Sequence, residues 1–447
     1  MSKDYSRRAF IRQQAFAGLG VMGLGALGCT SGGDNRRDTG VGHAAAPTIA
    51  DMELPARRER YYTALFDGFL PNMDQYVIDH ELGGFMCNVN IATRKLETTD
   101  KRAWFEGRGM WTYAFLYNHF EQNPAYLEVV RKSRDFILPR LPADGRFYPT
   151  SFSKEGEPRS TGEGDIYGNL FVAEGLAEYA KASGEREYFE QAKEIVLKAA
   201  DRYDRDDYTY AYKSDNPLPG PRILGHWMIL ISVSTQLLKQ EADPRIQALA
   251  DRCATAILTH HINAEHGLVN EAIGHDLKPL ADPVALQYAD LGHGCESFAF
   301  VMAYAVFRKD AALFDRAATL FKHHVEVATD PVYGGHFTAL PNTDEYQWTL
   351  TKARWVQEEI LIGALHLIEH RADPWAIRRF LETDAYIQEK FVRPEYAFVI
   401  DSGDRKLEKH SQVRAENYHR PRQLMVSMLA FDRIKANGYK PSGLFDA

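Results

Sequence analysis

Residues 107–120 read GRGMWTYAFLYNHF, an apolar segment of helical length that opens with small and charged residues. Five later segments repeat this design: YGNLFVAEGLAEYA (167–180), GHWMILISVSTQLL (225–238), GHGCESFAFVMAYA (292–305), WVQEEILIGALHLI (355–368) and HRPRQLMVSMLAF (419–431). Their first residues lie 60, 58, 67, 63 and 64 positions apart. Each is apolar nearly all round, which is typical of a buried helix, and the regular spacing indicates a repeat architecture.

Charge-rich amphipathic segments alternate with the six apolar ones, among them EYFEQAKEIVLKAADRY (187–203) and DAALFDRAATLFKHHV (310–325). Their one-sided apolar pattern predicts helices with one solvated face. We therefore predict an all-α protein, an (α/α)6 toroid in which six parallel inner helices are ringed by six antiparallel outer ones. Because parallel helices bring their N-termini to one rim, the residues that open the inner helices are expected to converge on one central cavity.

The N-terminus has the pattern of an export signal. Arg7-Arg8 precedes a glycine- and alanine-rich stretch, which predicts a twin-arginine signal over residues 1–29 and a protein that is periplasmic or anchored at the cell envelope. Cys29 also lies where a lipoprotein signal places its lipidated cysteine, so a membrane tether is left open. Residues 30–48 are predicted to be a flexible linker. Residues 49–447 are predicted to form a single catalytic domain.

The composition of the chain argues against some classes of function and permits others. The chain has 53 Lys and Arg against 61 Asp and Glu, and its net charge of −8 argues against a nucleic-acid partner. Aromatic residues make up 12% of the 447 residues, which permits carbohydrate binding. Apart from Cys29, the chain has three cysteines, Cys87, Cys253 and Cys295. Their number is odd and their spacing fits no metal site, so a disulfide framework is not expected. Sequence alone leaves monomer and homodimer open.

The polar residues near the helix openings are the candidate site. His293 and Glu296 are three positions apart on one helix, so the carboxylate can hold the imidazole and raise its basicity. A histidine with a pKa near neutrality is the natural general base at physiological pH. The other candidates are Arg108, Trp111, Tyr167, Asn169, His226, Trp355, Gln357, Glu359, His419 and Arg422.

Each of these residues alone also fits a structural role, such as bonding to free backbone groups at a helix start. His293-x-x-Glu296 could be half of a metal site, but no other His, Asp or Glu pair has matching spacing, so no metal and no other cofactor is predicted. It is the joint placement of histidines, carboxylates and arginines around one rim that favours a catalytic site.

Several motifs together resemble the N-acylglucosamine 2-epimerase superfamily, which includes cellobiose 2-epimerases and mannose-type isomerases. The resemblance covers most of residues 52–437. It rests on KRAWFEGRGMWTY (101–113), YGNLFVAEGLAEYA, GHGCESFAF, YGGHF (333–337), KARWVQEEILIGAL (352–365), FVRPEYAF (391–398) and ENYHRPRQL (416–424). That family has the (α/α)6 fold, in agreement with the repeat pattern.

The resemblance implies a sugar 2-epimerase or aldose-ketose isomerase that acts on a mono- or disaccharide through an enediolate. By position, His293 and His419 would be the two acid/base residues, with Glu296 activating His293. Arg108 would polarise the sugar oxygens, and His226 would aid ring opening or positioning. The remaining candidates, Trp111, Tyr167, Trp355, Gln357, Glu359 and Arg422, would contact the substrate.

Four positions depart from the family pattern. Arg222 and Ile229 stand where the family usually carries Asn and Glu, and Thr349 and Arg354 replace a frequent Asp and Trp. These departures leave the sugar open. Two other functions also remain: a glycoside hydrolase or lyase that pairs Asp290 with Glu296 or Glu359, and a non-catalytic sugar-binding protein on the same scaffold.

Overall fold

The computed structural model describes residues 46–159, 162–210 and 218–446. The predicted export signal, Cys29 and nearly all of the predicted linker lie outside these residues. The described chain starts its regular structure with a short 3-10 helix, Ile49–Met52. Within the described ranges, no helix is both long and apolar enough to cross a membrane.

Helices dominate the chain. They are α1 Leu54–Thr63, α2 Leu70–Tyr76, α3 Ala103–His119, α4 Pro124–Ile137, α5 Ile166–Ser183, α6 Arg186–Tyr203, α7 Leu224–Gln240, α8 Pro244–Thr255, α9 Pro283–Gln287, α10 Leu291–Arg308, α11 Ala311–Ala328, α12 Arg354–Arg371, α13 Pro374–Lys390 and α14 His419–Ala436. A π-helical segment, Ala64–Phe69, joins α1 to α2, and another, Ala256–His260, extends α8. A 3-10 turn, Leu138–Arg140, follows α4.

The strands are short antiparallel pairs in the loops. They are β1 Lys101–Arg102, β2 Ser151–Phe152, β3 Thr209–Tyr210, β4 Leu218–Pro219, β5 Arg222–Ile223, β6 Ile262–Asn263, β7 Leu268–Val269, β8 Ala272–Ile273, β9 Ala289–Asp290, β10 Ala339–Leu340, β11 Lys352–Ala353 and β12 Ser402–Gly403. The pairs are β1 with β2, β3 with β4, β5 with β8, β6 with β7, β9 with β10 and β11 with β12.

The six apolar segments form a closed inner ring. In order around it, α3, α5, α7, α10, α12 and α14 each pack against the next, and α14 returns to α3. Their side chains are buried on nearly every face, whereas α4, α6, α8, α11 and α13 bury one face and expose the other. The predicted all-α (α/α)6 toroid is confirmed, with the α1–α2 unit as the sixth outer element.

Local sequence explains where the outer helices begin. Asn123, Asp243 and Asp373 each precede a proline, and each side chain accepts a hydrogen bond from a backbone N–H of the first helical turn. Asn and Asp are favoured N-caps, and proline at the first helical position sacrifices no hydrogen bond. The Asx-Pro pairs therefore mark the point at which the chain turns back along the outside of the ring.

The strand pairs set the starts of the inner helices. β1, β5, β9 and β11 each end one residue before α3, α7, α10 and α12 begin. Backbone pairing fixes these residues at the rim, so the following helical turns occupy a defined depth in the ring. The three described cysteines, Cys87, Cys253 and Cys295, are buried free thiols.

Candidate active site

The openings of the inner helices contact one another in a closed circuit. Arg108 of α3 lies 4.2 Å from the Phe171 ring of α5. Tyr167 of α5 lies edge-on to His226 of α7, with ring centroids 4.8 Å apart. The circuit continues from Gly225 to His293, Trp355, His419 and Tyr418, and the Tyr418 ring lies 5.0 Å from the Arg108 guanidinium. All six N-termini thus meet at one rim.

Trp355 lies between the two predicted acid/base histidines. Its ring centroid is 5.5 Å from that of His293 and 5.6 Å from that of His419. Gly292 makes room for the indole, because a Cβ there would come within 2.4 Å of the Trp355 ring. Both imidazoles therefore lie beside the same indole.

His293 is held by a carboxylate from outside its own helix. Its Nδ1 lies 2.8 Å from Oε1 of Glu271, and its backbone N–H donates to Asp290 Oδ1 at 3.0 Å. Burial alone would lower the pKa of His293, but the charges of Glu271 and Asp290 outweigh it and raise the pKa to about 10. The imidazole is therefore cationic at neutral pH, and 27% of its side chain is exposed.

The sequence predicts that Glu296 holds the His293 imidazole. In the structure, Glu271 holds it instead. Glu271 occupies the position at Nδ1, and Glu296 contributes only its more distant charge to the His293 pKa. Glu296 is buried instead beside Glu359, and burial together with the Glu359 charge raises the pKa of Glu296 to about 8. At neutral pH Glu296 is largely protonated and can donate a hydrogen bond.

His419 has the opposite charge preference. Its Nδ1 lies 3.1 Å from Oε1 of Glu416, and its backbone N–H donates to Oε2 of the same carboxylate at 2.9 Å. Burial lowers the pKa of His419 even though Glu416 acts to raise it. Burial would raise the pKa of Glu416, but the Arg108 and Arg354 cations, together with His419 when it is protonated, hold it well below its usual range. His419 is neutral at physiological pH, and Glu416 is a carboxylate.

Glu296, Glu359 and His419 also meet the basic geometry of a metal site, with ligand atoms within 4.8 Å of one another. Both Glu359 oxygens, however, accept hydrogen bonds from Arg422, at 2.6 and 2.7 Å. A carboxylate paired in this way is already neutralised by a fixed cation. The donor set therefore fits a proton-transfer site better than a metal centre.

His226 lies behind the rim. It is fully buried, both of its ring nitrogens lack a hydrogen-bond partner, and the rings of Tyr167, Tyr203 and Tyr210 surround it. Burial lowers its pKa to about 3, so the imidazole is neutral. Gly225 lets Tyr167 lie over the start of α7, because a Cβ there would meet the Tyr167 hydroxyl at 2.1 Å.

With this geometry in place, the comparisons with known proteins decide the family. A family model described as N-acylglucosamine 2-epimerase (GlcNAc 2-epimerase) matches residues 83–421. The chain belongs to this family. The human N-acylglucosamine 2-epimerase is 25% identical over 370 residues, which span 78% of this chain and 84% of the relative.

Solved structures of similar proteins share the toroid. The cellobiose 2-epimerase of Spirochaeta thermophila DSM 6192 superimposes with a TM-score of 0.74 at 21% identity, covering 87% of this chain and 100% of that one. A D-mannose isomerase gives a TM-score of 0.68 at 14% identity, covering 86% and 97%. The predicted family and the predicted class of enzyme, a carbohydrate epimerase or isomerase of the N-acylglucosamine 2-epimerase type, are confirmed.

Two of the predicted substrate contacts are buried and form hydrogen bonds within the protein in this member of the N-acylglucosamine 2-epimerase family. The Trp111 side chain is deep in the ring, where its indole N–H donates to Gln236 Oε1 at 2.8 Å. Gln357 is fully buried, and its amide exchanges hydrogen bonds with the backbone and ring of His336 and with Ala353. Asn169 likewise accepts a backbone hydrogen bond, from Tyr148.

The residues at the four positions that depart from the family pattern are held by contacts within the protein. Arg222 donates to the Tyr203 carbonyl at 2.8 Å and lies 3.3 Å from Asp204. Arg354 is buried, pairs with Glu358 and donates to the Ile400 carbonyl at 3.2 Å. Ile229 is buried in α7, and the backbone N–H of Thr349 donates to Ala339.

The carboxylates beside the two histidines, Glu271 and Glu416, are not among the candidates predicted from the sequence. Glu271 lies between β7 and β8, 22 residues before His293, and pairing of β5 with β8 brings that loop to the rim. No local sequence pattern indicates this contact. Glu416 could have been predicted from the sequence. It precedes His419, the first residue of α14, by three positions, and acidic residues are favoured near helix N-termini.

Proposed function

We propose that this protein is a sugar 2-epimerase or aldose-ketose isomerase in which His293 and His419 transfer a proton at C2 of an open-chain sugar. The observation that carries this proposal is the placement of both imidazoles against Trp355, at 5.5 and 5.6 Å. Inversion at C2 requires a base on one face of the carbon and an acid on the other. The two histidines beside one indole support this assignment of the base and the acid.

The different charge states of the histidines assign their resting roles. His419 is neutral and accepts the proton from C2, whereas His293 is cationic and donates one. Glu416 faces Nδ1 of His419 and Glu271 faces Nδ1 of His293, which leaves Nε2 of each ring for the substrate. Reaction from the opposite epimer needs the two protonation states exchanged.

The intermediate is an enediolate, whose oxygens carry the developing negative charge. Arg108 is buried, its Nε has no hydrogen-bond partner, and it lies beside the Glu416–His419 pair. Protonated Glu296, whose carboxyl group lies close to His419 and Glu359, supplies a second donor. Fixed donors in a site of low dielectric are an effective means of stabilising such charge.

One site serves two outcomes. If His293 returns the proton to C2, the product is the epimer; if a proton is returned to C1, the product is the ketose. The relatives named for N-acylglucosamine, cellobiose and mannose make those sugars the first substrates to test.

The test is incubation of the protein with N-acetylglucosamine, cellobiose or mannose in deuterated water, followed by NMR of the sugar. Label at C2, or at C1 of a ketose, is expected with at least one of them. His293→Ala and His419→Ala should each abolish labelling, whereas His80→Ala, a histidine with a 57% exposed side chain, should not. Labelling that survives both substitutions would sink the proposal.

A hydrolase is less well supported by the carboxylates. Asp290 uses one oxygen to cap α10 and the other to accept from the Tyr288 hydroxyl, and Glu359 is held by Arg422. Release of reducing ends from oligosaccharides, with no label in the sugar, would favour that function. Binding without turnover, unchanged by the histidine substitutions, would favour the non-catalytic role.

We also propose that the protein is exported by its twin-arginine signal. Replacement of Arg7 and Arg8 by lysine should retain the protein in the cytoplasm in cell fractionation. Replacement of Cys29 by serine should release it from the membrane fraction if that cysteine is lipidated. The mass in solution distinguishes the monomer from the homodimer.

A further inference from the structure

Three arginines surround one indole beside the catalytic rim. The guanidinium carbons of Arg108, Arg102 and Arg414 lie 5.0, 5.8 and 6.0 Å from the Trp104 ring centroid. Arg102 belongs to β1, and Trp104 lies in the first turn of α3. Arg414 belongs to the loop before α14, where its backbone N–H donates to Val89. The Trp104, Arg102 and Arg414 side chains are half-buried, so a ligand can reach them.

This cluster contains donors without acceptors. The Nε1 of Trp104, the Nε of Arg108 and the Nε of Arg414 are buried and lack a hydrogen-bond partner. Within the part of the chain that the structure describes, Arg102 and Arg414 form no ion pair and no side-chain hydrogen bond. A buried donor without an acceptor is costly, so a set of them in one place indicates that an acceptor-rich group binds there.

The other arginines of the rim are different. Arg422 is paired with Glu359, Arg354 with Glu358, and Arg222 lies 3.3 Å from Asp204. Among the described residues, Arg108 forms one ion pair in the Trp104 cluster, with Glu416 at 3.6 Å, and that carboxylate is shared with His419. Asp165 also lies close enough for Arg102 and Arg108 to lower its pKa, although burial outweighs them. This sector of the rim therefore holds more arginines than paired carboxylates.

We propose that Arg102, Arg414 and Trp104 form a subsite for an anionic substituent of the sugar, so that the substrate is an acidic aldose such as a uronic acid or a sugar phosphate. This rests on the proposed function, because the reacting carbon lies at His293 and His419. Arg108 joins the two regions, since it contacts both Trp104 and the Glu416 that holds His419. The arginines bind the anion with charge-assisted hydrogen bonds, and the indole packs against the sugar face.

The test measures binding and turnover separately. Calorimetry with D-glucuronate, D-glucose 6-phosphate and D-glucose gives the dissociation constants, and exchange in deuterated water gives kcat and KM. The wild-type protein should bind at least one of the two anions about 10-fold or more tightly than glucose. Arg414→Gln and Arg102→Gln should each remove most of that preference, with glucose binding unchanged. Tight binding of glucuronate alone assigns a carboxylate site, and tight binding of the phosphate ester alone assigns a phosphate site.

Arg378→Gln is the matched control, because it removes the same charge from an exposed position on the outer helix α13. It should retain the preference for the anion, and circular dichroism should give the same helix content for all three variants. Equal binding of glucose and both anions, or a preference that survives both substitutions at the subsite, overturns the inference. Exchange of label into any sugar would still uphold the proposed function. An arginine-dependent preference without any exchange would uphold the subsite and refute the function.

Discussion

Replacement of Glu271 by glutamine tests whether this carboxylate, and not Glu296, sets the charge of His293. The substitution keeps the shape of the side chain but removes the charge 2.8 Å from Nδ1. A hydrogen bond between charged groups contributes about 1.5–3 kcal/mol, and each pKa unit corresponds to about 1.4 kcal/mol. The pKa of His293, about 10 in the wild-type protein, should therefore fall by roughly one to two units.

The pH dependence of deuterium exchange is the assay. Exchange should rise with pH as His419 loses its proton, below its usual pKa of about 6.5, decline in part as Glu296 loses its donor proton near pH 8, and fall further as His293 loses its proton near pH 10. Glu271→Gln should move only the alkaline limb, towards neutral pH, and should lower kcat by about 100-fold because the imidazole is no longer oriented. Glu296→Gln is the comparison. If Glu296→Gln moves the alkaline limb by one to two units and Glu271→Gln leaves it in place, the assignment of Glu271 is wrong.

Three further predictions concern packing and charge. Gly292→Ala should displace Trp355 and lower kcat/KM by about 10-fold or more with the fold retained, whereas Gly162→Ala, where a Cβ meets nothing within 4 Å, should be neutral in the same assay. Lys101→Met should leave the buried Asp79 carboxylate unpaired and lower the free energy of unfolding by about 3–5 kcal/mol, measured by urea unfolding; a loss below 1 kcal/mol would contradict the role of this pair. Acid should destabilise the fold, because four buried histidines have pKa values lowered by burial to about 3 or 4, namely His226, His261, His324 and His336. The unfolded chain binds more protons than the folded one below pH 6.5, so stability should fall by roughly 2 kcal/mol per histidine between pH 6.5 and 5. A free energy of unfolding that is flat over this range would refute that account.

The sequence is enough to predict the ring because its helices are built from local patterns. The six apolar segments mark the starts of the inner helices to within about four residues; α3, for example, begins at Ala103, whereas the apolar pattern begins at Gly107. The depth of each side chain is less accessible to pattern analysis. Trp111 and Gln357 were predicted at the rim from their position near a helix opening, yet helix rotation and loop contacts place both within the packed structure.

Contacts between loops cannot be predicted from the sequence, for a different reason. The position of Glu271 opposite His293 depends on pairing of β5 with β8, two strands of two residues each that are far apart along the chain. Such short strands carry no detectable alternation of apolar and polar residues. The helical repeat is enough to predict both histidines. The loop carboxylate that raises the pKa of His293, Glu271, cannot be predicted in the same way.

A repeated buried ion pair connects the loops to the catalytic helices. Asp79 and Asp330 each begin a turn with two glycines, DHELGG and DPVYGG, and in each turn the Asp N–H donates to the second glycine at 2.9 Å. The lysine 22 residues later, Lys101 or Lys352, is fully buried and binds both the carboxylate and the carbonyl of the first glycine.

Both lysines lie two residues before an inner helix, α3 or α12, so each ion pair fixes the level at which that helix starts. α3 carries Arg108 and α12 carries Trp355, which lie at the rim seven and three residues after their lysines. A buried ammonium held by a carboxylate and a backbone carbonyl has little freedom to shift, because any displacement leaves the charge unpaired at a large energetic cost. Lys352→Met should therefore lower exchange activity more than an equally destabilising substitution on an outer helix, such as Phe314→Ala on α11, when both are assayed where the protein is fully folded. Equal activities would mean that the pair stabilises the fold without positioning the site.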